Sequence, residues 1–175
     1  MTSNFVQLTV KIVLLLAVPA ILLSCSSTDD AQRDFENEAF RLPNNFTETD
    51  ASGNVIREDP DDWRISPMYS GVVEINKPAY PNPTTGQNVR IELLILSLTP
   101  VNGLYVRTYI ENRFARTLTF DERVPVPQGF ISLEFNPALF DPGGSGTISG
   151  ARGLHRVYIF DNRENLITYG DVKVE

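Results

Sequence analysis

Asn88-Val89-Arg90-Ile91-Glu92-Leu93-Leu94-Ile95-Leu96 sets apolar side chains at positions 89, 91, 93 and 95, with Arg90 and Glu92 between them. A period of two marks a strand with one face in a core and the other in water. The alternation returns in Phe130-Ile131-Ser132-Leu133-Glu134-Phe135, and again where Leu104, Val106, Thr108 and Ile110 alternate with Tyr105, Arg107, Tyr109 and Glu111. Reading outward from these runs, strands are expected at 70–76, 88–96, 104–111, 116–120, 130–135, 154–161 and 166–174. Each is short and bounded by Gly, Pro or Asn. Asp161-Asn162-Arg163-Glu164-Asn165 separates the last two as a polar turn, which favours antiparallel hairpins. No amphipathic pattern of ten or more residues follows Trp63, so βαβ units and a parallel sheet are not expected. Seven strands in residues 63–175 predict an all-β antiparallel β-sandwich, and a small Greek-key barrel satisfies the same pattern.

The stretch ahead of the opening strand reads differently. Pro78, Pro81 and Pro83 each fix φ and remove a backbone donor, so residues 77–84 are not expected to form a central strand. They read as a rigid crossing between sheets. The functional alternative is a proline-rich ledge that anchors a partner through Tyr80, with Tyr69 near the same end of the domain in sequence.

Upstream, the charge changes sharply. Residues 26–62 hold eleven acidic side chains against Arg33, Arg41 and Arg57, a net of −8, whereas 63–175 hold eleven acidic and eleven basic. The acidity of the chain therefore belongs to its N-terminal segment, which reads as a solvated tether ahead of one domain. Within it, Phe35, Ala39, Phe40 and Leu42 fit a brief helical turn over 34–42. Residues 46–50 and 54–57 flank Ala51-Ser52-Gly53 as a small hairpin. Trp63, the only tryptophan, is expected to plug one end of the core, or else to join Tyr69 and Tyr80 as a partner-binding aromatic. Lysine and arginine form no basic patch or stripe, so nucleic acid is not an expected partner.

Ahead of the acidic segment, residues 12–23 are apolar apart from Pro19, a length that suits a signal segment and falls short of the ~20 residues that span a bilayer. The run closes on Leu22-Leu23-Ser24-Cys25, which resembles the lipobox of bacterial lipoproteins position by position. The resemblance implies a signal peptide over 1–24, lipid attachment at Cys25, a lipidated acidic tether over 25–62, and the β-sandwich over 63–175. Its partners would be the membrane, reached through the N-terminal lipid, and an envelope protein or glycan. The location implied is the cell envelope, on the outer membrane. An acidic tether of that length would be repelled by anionic head groups and hold the domain off the membrane. Cys25 is the only cysteine, so the domain folds without disulfides.

Ala79-Tyr80-Pro81-Asn82-Pro83-Thr84-Thr85-Gly86-Gln87-Asn88-Val89-Arg90-Ile91-Glu92 resembles the Tyr-Pro-Asn-Pro opening of the C-terminal sorting domains used in type IX secretion. Gly153-Leu154-His155-Arg156-Val157-Tyr158-Ile159 is similar to a strand near the end of those domains, although the chain closes on Asp171-Val172-Lys173-Val174-Glu175 and not on a basic segment. The resemblance implies an immunoglobulin-like sandwich outside the cytoplasm, and as an alternative function a sorting-like module recognised by secretion machinery.

Reactive constellations are sparse. His155 is the only histidine, too little for a zinc site and a weak basis for a triad. Asp50, Asp59, Asp61 and Asp62 lack the spacing of a calcium loop and read as solvated charge. An enzyme acting on envelope polysaccharide would use paired carboxylates such as Glu92 and Glu134. The glycine-rich run 141–153 lacks the lysine of a phosphate loop and reads as a mobile connection or as a loop that closes over a ligand. The expectation is a binding or structural protein with no enzymatic activity, cofactor or metal.

Overall fold

The computed structural model describes residues 29–97, 101–110 and 113–175. Cys25 and the signal segment lie outside them. Residues 29–39 are helical. Strands β1 (Glu48–Thr49) and β2 (Val55–Arg57) form a small hairpin, and the 3₁₀ turn Pro67–Tyr69 leads into β3 (Val73–Tyr80). There follow β4 (Val89–Ile95), β5 (Leu104–Ile110), β6 (Arg113–Asp121), β7 (Gly129–Phe135), the 3₁₀ turn Pro137–Phe140, β8 (Gly153–Phe160) and β9 (Leu166–Val174). Two antiparallel sheets result, β3-β4-β7 and β6-β5-β8-β9, and the chain passes repeatedly between them as in an immunoglobulin-like sandwich. Neither sheet closes into a barrel.

The core lies where the alternation places it. Val89, Ile91, Leu93 and Ile95 of β4 meet Leu104 and Val106 of β5, Leu133 and Phe135 of β7, Val157 and Ile159 of β8, and Val172 and Val174 of β9 in one buried cluster. Each fully buried aliphatic side chain there contributes about 1.5–3 kcal/mol through area withdrawn from water. The bulge opposite Phe160 shifts the register between Leu166 and Thr168 and puts Leu166 on the outer face with Phe160.

The proline crossing is real, with one refinement. β3 continues through Lys77 and Pro78 to Tyr80 because it is an edge strand, and its pairing with β4 slips on either side of Lys77 where proline cannot donate. Past Tyr80 the chain reaches across to the edge of β9 before returning to β4, the neighbour of β3 in the same sheet. Thr84 N–H donates to Lys173 O at 2.9 Å, Glu175 N–H donates to Thr84 O at 2.9 Å, and the Asn82 side chain bonds both Asp171 O and the Lys173 N–H. The peptide bonds Tyr80–Pro81 and Asn82–Pro83 are cis.

β9 is the last strand of its sheet, yet its outer edge is covered. Residues 62–66 bond its first half, through Ser66 N–H to Ile167 O at 2.9 Å, Trp63 N–H to Tyr169 O at 2.7 Å and Asp171 N–H to the Asp62 carboxylate at 2.9 Å. Residues 82–84 bond the second half. An edge occupied in this way presents no unpaired ladder to another chain.

The acid-rich segment departs most from expectation. Residues 29–39 lie on the outer face of the four-stranded sheet, where Phe35 and Ala39, one helical turn apart, pack with Tyr105, Tyr158, Phe160, Leu166 and Tyr169 in a second apolar cluster. The helix stops before Pro43, which disfavours helical geometry at Leu42. Asp59 and Asp62 are buried, so solvated charge does not describe them. Asp62 accepts backbone N–H groups of Thr47 and Asp171, and Asp59 accepts that of Asp61.

Candidate functional site

The densest polar arrangement in the described chain joins the N-terminal segment to β8 and β9. Alternation in β8 places Val157 and Ile159 in the core and therefore Arg156 on the outer face, beside Asp171 of β9, its register partner. The pair is bidentate, with Arg156 Nε to Asp171 Oδ1 and Nη2 to Oδ2 both at 2.7 Å, and both side chains are buried. The remaining Nη1 donates to three carbonyls at the end of the helix, Glu38 O at 3.2 Å, Ala39 O at 3.2 Å and Arg41 O at 2.9 Å. These carbonyls carry the negative end of the helix dipole, and a guanidinium there supplies donors that the end of a helix is short of. Tyr158 Oη adds a bond to Ala39 O at 3.1 Å. Arg64 completes the clasp by donating to Glu38 and, at 2.9 Å, to Tyr169 Oη.

Asp62 lies behind this pair. Its carboxyl accepts Thr47 N–H at 2.7 Å and Asp171 N–H at 2.9 Å, joining hairpin to sheet. Burial, reinforced by the negative charge of Asp171, pushes its pKa up to about 8, so at neutral pH it holds its proton. Burial also raises the Asp171 carboxyl, and the Arg156 donors oppose that rise. Asp171 keeps the charge because it holds both guanidinium bonds.

Between the hairpin and β3 is a cleft of about 240 Å³ lined by Thr47, Val55, Glu58, Asp62, Trp63, Ile75 and Pro78. Trp63 sits at φ 57°, a left-handed conformation that a bulky residue adopts only when its surroundings impose it. The imposing contact is the indole lying against Gly170, where any Cβ would fall 2.2 Å from the ring. Gly170 is thus the residue that lets Trp63 into the core.

The aromatics singled out as partner anchors are all buried. Trp63, Tyr69 and Tyr80 are each 6% exposed. Tyr69 Oη donates to Asp161 at 2.7 Å at one end of the sandwich, while Tyr80 Oη bonds Glu92 at the far end of β3, so the two tyrosines neither converge nor face outward. Trp63 is the expected core plug.

The titratable candidates are similarly occupied. His155 stacks on Phe140 with ring centroids 4.8 Å apart, and its Nε2 is 2.6 Å from Ala151 O, while burial lowers its pKa. Glu92 accepts from Tyr80 and Asn76, Glu134 accepts from Asn88 and Arg90, and these donors lower both pKa values. A glycan-cleaving pair needs one carboxyl held protonated, and neither is. Asp50 caps its own turn through Ser52 N–H and Asn54 N–H. Asp141, buried at the start of the glycine-rich run, accepts from Gly143 N–H, Ser145 and Thr147 N–H, so the loop is wound around one carboxylate. Among the described residues no group of three or more His, Cys, Asp or Glu side chains is placed to hold a metal ion, and no helix is long and apolar enough to cross a membrane.

Sequence reasoning missed the clasp. Its signal was present in Arg156 and Asp171, charged residues inside two strands otherwise lined outward by Tyr158, Phe160 and Tyr169. No protein-family model matches the chain, and no curated protein matches it significantly in sequence.

Proposed function

We propose that this chain is a lipid-anchored protein of the bacterial cell envelope, on the outer membrane, whose β-sandwich serves binding or structural support and carries out no reaction. The observation that carries the reading is the short distance in sequence between the lipobox cysteine, Cys25, and a helix clamped onto the sandwich from residue 29 onward. The clamp makes the N-terminal segment part of the folded body, as an anchor point under load requires. The occupation of His155, Glu92, Glu134 and Asp141 by structural partners supports a non-catalytic role. Retention of the C-terminus is supported by β9, which is bonded on both edges and supplies Val172 and Val174 to the core. A sorting module that is cut away would not be expected to hold the fold together in this way.

Intact-mass spectrometry of the protein extracted from membranes tests the reading at both ends. The expected species begins at a triacylated Cys25 and ends at Glu175. A species without lipid, or one lacking the C-terminal strands, overturns it and favours the secretion-sorting alternative.

A further inference from the structure

We infer that one end of the sandwich, the end carrying Met68, Leu96, Val124 and Phe130, rests on the lipid surface and inserts these side chains into it. The inference depends on lipidation at Cys25 and goes beyond it by assigning an orientation and a contact surface.

The argument starts from the direction of the N-terminal helix. Its Ala39 end meets Arg156 and Tyr158, whereas Gln32 Oε1 accepts Met68 N–H at 3.1 Å. Met68 belongs to the 3₁₀ turn beside the β8–β9 turn, because Tyr69 Oη bonds Asp161. The helix therefore enters at that end of the sandwich. Cys25 precedes residue 29 by four residues, a reach of at most about 14 Å even when fully extended. From residue 29 the helix carries the chain about 16 Å away from that end. The anchor and this end of the domain are thus confined to the same thin layer.

The loops gathered there are tied to one another. Asn162 N–H donates to Asn102 O, Gly103 N–H to Arg123 O, Val126 N–H to Val101 O and Leu96 N–H to Val72 O. Beside the exposed charges of Glu122, Arg123, Arg163 and Glu164, this end shows four large apolar side chains: Met68 is 50% exposed, Leu96 40%, Val124 66% and Phe130 71%, the last lying one residue into β7. The loops at the opposite end, 81–88 and 136–152, carry none of the large exposed apolar side chains among the described residues. The others, Phe40, Leu42, Val55 and Ile56, lie beyond the far end of the helix or on the hairpin. A rim of apolar side chains adds binding to that of the acyl chains and fixes the tilt of the domain. Asp29, Asp30 and Asp34 at the helix entry favour a zwitterionic over an anionic surface.

With Cys25 acylated, an engineered cysteine is the only free thiol. Val124→Cys, Phe130→Cys and, as the distant control, Ile56→Cys are surface changes that preserve the fold. Each full-length lipoprotein is extracted, checked by intact mass for acylation, labelled with an environment-sensitive fluorophore and placed in phosphatidylcholine vesicles containing spin-labelled lipid. The expected result is quenching at 124 and 130 at least about threefold stronger than at 56. Equal quenching at all three positions in an acylated protein overturns the orientation and leaves the lipoprotein reading intact. Absence of acylation overturns both. Labels at 124 and 130 that are shielded in native membranes but unquenched in vesicles would assign the rim to a protein partner and overturn the lipid contact.

Discussion

The two outer faces of this sandwich are built from strands of the same alternation and meet opposite fates. On the three-stranded sheet the outward positions carry Arg90, Glu92, Ser132 and Glu134, and they form exposed pairs such as Arg90–Glu134 and, at 3.7 Å, Lys77–Glu92. On the four-stranded sheet they carry Tyr105, Tyr158, Phe160 and Tyr169 with Arg156 and Asp171 among them, and residues 29–39 cover them. Period-two patterning tells which residues share a face. The chemistry of the outward set then tells whether water or a further layer covers that face. Charged outward positions satisfy themselves in solvent, whereas adjacent aromatics on two neighbouring strands need a cover.

The comparison can be broken most forcefully at Arg156. Arg156→Ala leaves Asp171 buried without its cation and removes one donor from each of three helix-end carbonyls. We expect a loss of about 3–5 kcal/mol in urea unfolding, with reduced helical circular dichroism. If stability changes by less than about 1 kcal/mol, the clasp is ornamental and the faces differ only in composition.

Phe35→Ala tests the apolar half of the same cover. The ring lies 5.2 Å from Tyr169 and is buried, so a loss of about 3 kcal/mol is expected from urea midpoints.

Next in size is a pH effect confined to the covered side. The native Asp62 carboxyl keeps its proton to about pH 8, whereas an unfolded Asp releases its proton near 4. Between those values the folded state binds the extra proton, so this group's contribution is complete below pH 4 and is lost as pH rises through 8. Stability to unfolding should fall from pH 5 to pH 8, and Asp62→Asn should flatten that slope. A slope unchanged in the variant would assign it to another group.

The smallest effect belongs to the open face. Arg90→Ala removes an exposed pair with Glu134 and should shift the urea midpoint only slightly, and less still in salt. A larger loss would mean that this face also has a cover.

These contrasts mark what was legible in the sequence. Alternation at 88–96, 104–111 and 130–135 located strands whose observed ends lie within a residue of those expected, and the polar turn 161–165 set the last hairpin. Pro78, Pro81 and Pro83 implied a crossing between sheets; residues 82–84 do reach the edge of β9, but the chain then returns to β4, the neighbour of β3 in its own sheet. The destination of the acid-rich segment was not legible, because net charge is a property of composition and docking depends on partners more than a hundred positions away. Phe35 finds Tyr169, and Arg156 finds Arg41, only after folding. The buried states of Tyr69 and Tyr80 were also not legible, since each is fixed by one acidic acceptor, Asp161 or Glu92, that spacing does not reveal.

The covered edge of β9 has a consequence in time as well as in space. The end of the helix, residues 62–66 and residues 82–84 bond residues 153–175, so these early segments gain those partners only when the last strands are present. An isolated helix the length of 29–39 is marginal in water, and it has no sheet to lie on until β8 and β9 emerge. The helix therefore stays undocked until β8 and β9 are complete, and arrival of the final strand closes it onto the sheet.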